Sequence, residues 1–99
     1  MKVLMLGYAN QEAIDKTIET KMATFYSTSR EEIWTKGLTS GDTLSVKRIL
    51  TDCDQDAVLY IVEAVGGVCH TKNEQNQTRS SCFYREYNFE TKELNFLEK

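Results

Sequence analysis

The sequence predicts a small, strand-rich α+β domain, and three observations carry that prediction. The chain has 99 residues with 40% apolar side chains, enough for one core. With no composition shift and no Pro- or Ser-rich linker, one domain over residues 1–99 is expected. A single stretch, "QEAIDKTIETK", has helical spacing, while β-branched or alternating runs recur on either side of it, so strands outnumber helices. No repeat or low-complexity segment interrupts the pattern.

The elements follow in order. "KVLMLGY" is apolar enough for a buried strand, and Asn10 offers an N-cap for the helix in which Ala13, Ile14, Thr17 and Ile18 recur on one face. "MATFYSTS" reads as the next strand and "IWTKG" as another. "GLTSGD" is a polar turn in which Gly37 and Gly41 permit backbone angles that other residues avoid. "TLSVKRIL" alternates Leu44, Val46 and the Arg48 stem against polar neighbours, as a half-buried strand does. "AVLYIVEAV" is nearly continuous apolar and predicts the central strand. "SCFYREYNF" and "ELNFLE" flank the turn "ETK" and predict a closing hairpin.

Composition excludes several partners. A net charge of −3 with mixed signs leaves no basic footprint for nucleic acid and no polybasic anchor. The apolar runs fall far short of the roughly 20 residues that span a bilayer, and the Met1 end has no signal-peptide pattern. A cytoplasmic protein is expected. Three cysteines cannot all pair within one chain, and in a reducing compartment thiols are buried, catalytic or metal-bound.

The chemistry concentrates in "TDCDQDAVLYIVEAVGGVCHT". In an extended segment Asp52, Asp54 and Asp56 project to one face, where like charges repel unless a cation sits among them. Hard oxygen donors suit magnesium or calcium, and magnesium especially with a phosphorylated substrate. An EF-hand calcium loop is excluded: the sixth position from Asp52 is Ala57 where glycine is needed, and Val58–Val62 reads as a strand. The residues alone leave a solvated acidic turn equally open. Cys53, Cys69 and Cys82 lack the C-x-x-C spacing of a structural zinc knuckle, and small buried thiols are the plainer reading of each. Yet three thiolates would leave a tetrahedral zinc one open position for water. His70, the only histidine, is read as an acid–base neighbour rather than a fourth ligand.

The segments "VLMLGYANQEAID", "FYSTSREEIWTKGLTSGD", "DCDQDAVLYIVEA", "CHT" and "SCFYRE" resemble, in order, the signature segments of the phosphoribosyl-AMP cyclohydrolase family. That enzyme of histidine biosynthesis opens an adenine ring by hydrolysis of the N1–C6 bond. The resemblance implies magnesium on Asp52, Asp54 and Asp56, and zinc on Cys53, Cys69 and Cys82. It further implies an intertwined homodimer with Cys53 supplied across the interface, a zinc-activated water as nucleophile, and His70 as proton carrier. The substrate carries two phosphates, for which the hydroxyls of Ser27, Ser29, Thr39 and Ser40, the cations Arg30 and Lys36 and the Gly41 amide are suited. Trp34 can stack on a base, and Arg85 of "SCFYRE" joins the substrate set; ordinary surface charge and core packing are the bland alternatives for Arg30, Lys36 and Trp34.

Three departures from the family pattern stand out. "KNEQNQTRS" separates "CHT" from "SCF" where the family has a few residues, Leu38 replaces a carboxylate, and the chain starts almost inside the first motif where the family carries a further N-terminal strand. The competing function from another class is a non-catalytic binding module stapled by its metals, which would close the fourth zinc position with protein.

Overall fold

A computed structural model of the chain describes residues 2–99, which form two compact units: Gly7–Val65, and Gly66–Lys99 together with the amino-terminal stretch ending at Leu6. The described residues are strand-rich with a single helix and three antiparallel two-stranded sheets.

The unit Gly7–Val65 begins with α1, Gln11–Thr20. Asn10 starts it by accepting a hydrogen bond from the Ala13 amide at 2.9 Å, and Lys21 ends it in the left-handed region at φ 61°, its N–H donating to the Thr17 carbonyl. Ala13 and Thr17 are buried whereas Ile18 is exposed, so the helix buries a narrower face than its spacing suggests. The buried Thr17 hydroxyl donates to the Ala13 carbonyl at 2.8 Å, accepts from the Thr24 amide at 3.0 Å, and lies 3.2 Å from the Tyr60 hydroxyl. That satisfied polar knot ties the helix to β1, Thr24–Ser27, and to β4, Val58–Ala64. β1 pairs with β2, Glu32–Thr35, and β4 with β3, Leu44–Thr51. Ala23, Phe25, Leu44 and Val46 complete the core of this unit.

Three strand expectations change. "KVLMLGY" forms no strand: the Leu4 carbonyl accepts from the Cys82 amide and the Val3 carbonyl from the Ser81 hydroxyl, single bonds rather than a ladder, and only Tyr8 bridges to Tyr26. "AVLYIVEAV" is not central, because β4 pairs with β3 alone among the described residues and Leu59 stays half-exposed. Arg48 does not share the inner face with Leu44 and Val46. A bulge at Lys47 shifts the register between Val46 and Arg48, so the alternation flips, Arg48 turns outward and Ile49 is partly covered.

In the other unit, β5 (Arg85–Tyr87) and β6 (Leu94–Phe96) form the expected hairpin. Its turn is shaped by Asn88, whose side-chain oxygen accepts from the Glu90 and Thr91 amides. Val68, Cys69 and Ser81 are buried there. A side chain at Gly67 would overlap the side chain and carbonyl of Thr78, so glycine is required for that close approach.

Candidate active site

Asp52, Asp54 and Asp56 converge, but in a turn between β3 and β4 rather than an extended segment. Gln55, at φ 60°, supplies the left-handed residue that folds the turn, and the Asp52 carboxylate accepts from the amides of Asp56 and Ala57, each at 3.1 Å. One ligand atom from each of the three exposed carboxylates falls within 4.8 Å of the others, the only such group of three or more His, Cys, Asp or Glu side chains among the described residues. Crowding splits the proton affinities of Asp52 and Asp56. A hydrogen bond shared with Asp54 holds Asp52 below the ordinary carboxylate range, and hydrogen bonding with Asp54 and then Asp52 raises Asp56 above it. Three carboxylates this close have the oxygen donors and the surplus negative charge that a hard divalent cation would need.

Cys69 and Cys82 lie in the other unit, Cys53 in the exposed β3–β4 turn. Cys69 is 5% exposed. Its sulfur lies 2.9 Å from the Thr71 hydroxyl and accepts from the Thr71 amide at 3.4 Å. Burial pushes the thiol up, but the Thr71 hydroxyl and amide, a hydrogen bond with Cys82 and the charge of Arg79 together outweigh it and hold Cys69 below the usual thiol range. The Cys69 sulfur, hydrogen-bonded with Cys82, belongs to a pair of soft donors of the kind that would fit zinc. His70 follows on an exposed bend, not on a strand.

The residues expected at the substrate lie on the β1–β2 hairpin and the loop after it in the first unit, and on β5 in the second. In the β1–β2 turn, the Ser27 and Ser29 hydroxyls lie 3.3 Å apart, Ser27 accepts from the Arg30 amide at 3.2 Å, and the Arg30 side chain is exposed. Trp34 packs on Phe25 with ring centroids 5.1 Å apart and is 38% exposed. Lys36 Nζ donates to the Asp42 carbonyl at 3.2 Å and closes the loop holding Thr39, Ser40 and Gly41. Gly37, at φ 77°, makes that loop possible, since a Cβ there would overlap the Asp42 backbone. The Arg85 guanidinium lies 5.1 Å from the Tyr84 ring centroid.

The "KNEQNQTRS" stretch is ordered by its own hydrogen bonds. Lys72 bridges to Thr78, the Asn73 amide donates to the Gln77 carbonyl at 2.8 Å, and the Asn73 side-chain oxygen accepts from the Gln75 and Gln77 amides. This small turn returns Arg79 to Thr71. Neither residue is flagged by spacing; the available clue is Asn73, a turn-former where the departure from the family pattern begins.

The phosphoribosyl-AMP cyclohydrolase family model matches residues 5–84. Among curated proteins, the phosphoribosyl-AMP cyclohydrolase of Solibacter usitatus is 58% identical over 85% of this chain and 63% of its own length. That of Haloarcula marismortui is 53% identical over 90% and 69%. The histidine biosynthesis bifunctional protein HisIE of Photobacterium profundum is 56% identical over 70% of this chain and 33% of its own length. The chain therefore spans 63% of the first of these relatives rather than its whole length. With four fifths of its residues inside the family model and more than half identical to the Solibacter protein where they align, the chain belongs to the phosphoribosyl-AMP cyclohydrolase family.

Proposed function

We propose that this protein opens the adenine ring of phosphoribosyl-AMP by hydrolysis of the N1–C6 bond, a step of histidine biosynthesis. The observation that carries the proposal is the buried Cys69 sulfur, supplied with hydrogen-bond donors and paired with Cys82, in a chain of this family. With Cys53, these cysteines would hold zinc, which supplies Lewis acidity and an ionised water at neutral pH. The imidazole of His70, on its exposed bend, takes the proton of the attacking water and returns one to N1 as the C6–N1 bond breaks. Asp52, Asp54 and Asp56 would hold magnesium, whose charge would offset part of their own and draw in the substrate phosphates.

The chain's own residues bind and orient. Arg30 and Lys36 with the Ser27, Ser29, Thr39 and Ser40 hydroxyls take the phosphates, Trp34 offers its exposed edge to the base, and Arg85 adds a further cation. A homodimer contributing Cys53 from one copy and Cys69 with Cys82 from the other completes the proposal. It is supported by a small core and by apolar side chains left at the surface, among them Leu59 at 49% and Phe89 at 97% exposure. The test is the ultraviolet change as the purine becomes an imidazole carboxamide, followed with the metallated protein. Turnover that needs both metals is expected; a metallated dimer that leaves the purine spectrum unchanged would contradict the assignment.

A further inference from the structure

One chain of contacts around Cys69 reaches beyond the proposed zinc ligands to Arg79. The Arg79 Nη1 donates to the Thr71 hydroxyl oxygen at 3.0 Å, and that oxygen lies 2.9 Å from Cys69 Sγ. A guanidinium can only donate. Thr71, accepting from Arg79, has its own proton free to offer the sulfur, the arrangement a zinc-bound thiolate would use. Arg79 is itself held on every side. Its Nε donates to the Glu98 carbonyl at 3.0 Å and its guanidinium lies 4.1 Å from the Tyr84 ring centroid. Its amide donates to the Thr71 carbonyl at 3.1 Å, while its own carbonyl accepts from the Val68 and Cys69 amides at 2.9 and 3.0 Å. The Asn73 turn brings these two ends of the segment together.

We propose that Arg79 is a positioning residue: acting through Thr71, it fixes the orientation of the Cys69 sulfur and so tightens the grip of the cysteine site on zinc. This rests on the zinc assignment made above. Outer partners of this kind fix ligand geometry, and their loss weakens metal binding by about 10- to 100-fold in comparable sites. The extra residues between "CHT" and "SCF" are then not a slack insertion but the scaffold that seats Arg79.

The experiment uses the full chain. Zinc affinity is measured by competition with a chromogenic chelator, and the thiolate-to-metal charge-transfer band is recorded with cobalt(II) in place of zinc. Thr71→Val and Arg79→Met should each weaken zinc binding by about 10- to 100-fold and shift the cobalt band. Thr71→Ser, which keeps the hydroxyl, should restore both. Because Arg79 acts through Thr71, the double variant should bind zinc no more weakly than Thr71→Val alone. Additive losses, or single variants with wild-type affinity and an unshifted band, would overturn the proposal. Should Arg79→Met fail to fold, Thr71→Val, which removes the acceptor and leaves Arg79 in place, carries the test alone. It must show the same loss, and wild-type affinity in it is equally fatal. A wild-type chain that binds zinc yet opens no ring defeats the catalytic assignment and leaves this inference standing, whereas ring opening with unaltered zinc affinity in every variant defeats this inference alone.

Discussion

The acidic turn at Asp52–Asp56 and the sulfur corner at Cys69–Arg79, the two proposed metal sites, are built by opposite means. The turn gathers three exposed carboxylates, with the Asp56 and Ala57 amides donating to Asp52, and hydrogen bonding with Asp54 and Asp52 raises Asp56 above the ordinary carboxylate range. The corner buries its sulfur, then surrounds it with donors from Thr71 and a cation at Arg79. An exposed carboxylate cluster lacks its counter-charge until an ion arrives, so its affinity should be modest and adjustable. A buried sulfur already biased to thiolate is organised in advance, as tight and geometrically defined binding requires. The contrast suits a readily exchanged magnesium on one side and a resident zinc on the other.

The largest effect should come from breaking the corner. Cys69→Ser is expected to lose tight zinc and drop ring opening to background, beyond the ~10²–10⁴-fold that any proton-transfer variant costs; elemental analysis and the ultraviolet assay read the two losses together. His70→Ala comes next. It should keep its zinc while slowing turnover by about two to four orders of magnitude, and an unchanged rate would remove the histidine from the mechanism. Asp54→Asn breaks the other side of the comparison. Zinc content should hold while the magnesium needed for half-maximal activity rises by about tenfold, since oxygen sites are tuned by ligand charge.

The smallest effect sharpens the comparison from outside both sites. Glu98 accepts from the Ser80 hydroxyl at 2.7 Å and amide at 3.1 Å and from the Asn73 side chain at 3.2 Å, and these bonds, led by the Ser80 hydroxyl, hold it below the ordinary glutamate range. A carboxyl lowered by folding contributes stability above its unfolded pKa, and that contribution disappears as pH falls through the folded value. Wild type should therefore lose more melting temperature on acidification than Glu98→Gln. Parallel curves would show that Glu98 does not anchor the corner.

Much of this was legible in the sequence. The Asn10 cap, the helix it starts, the glycine-dependent turn at Gly37 and the closing hairpin each depend on local chemistry, and local chemistry is written in neighbouring residues. The aspartates were found for a partly mistaken reason: alternation was assumed, whereas Gln55 in the left-handed region folds them together. The strand expected at "KVLMLGY" and the central place expected for "AVLYIVEAV" failed because an apolar run fixes neither its own burial nor a partner strand: Val3, Leu6 and Leu59 stay 63%, 85% and 49% exposed. The bulge at Lys47 was invisible for a similar reason, since a register shift belongs to a pair of strands and not to either sequence. Arg79 was hidden by distance along the chain. Nothing in its neighbours announces that Thr71 will accept its hydrogen bond.

The most direct test of the two-site account is X-ray absorption at the zinc edge on the wild-type protein. Three sulfur neighbours and one light-atom neighbour from solvent are predicted, with magnesium-competent carboxylates absent from the zinc shell. Four protein ligands, whether by an added His70 imidazole or otherwise, would describe a closed structural metal and contradict the catalytic assignment; oxygen-only coordination would place zinc in the acidic turn and contradict the division between the two regions.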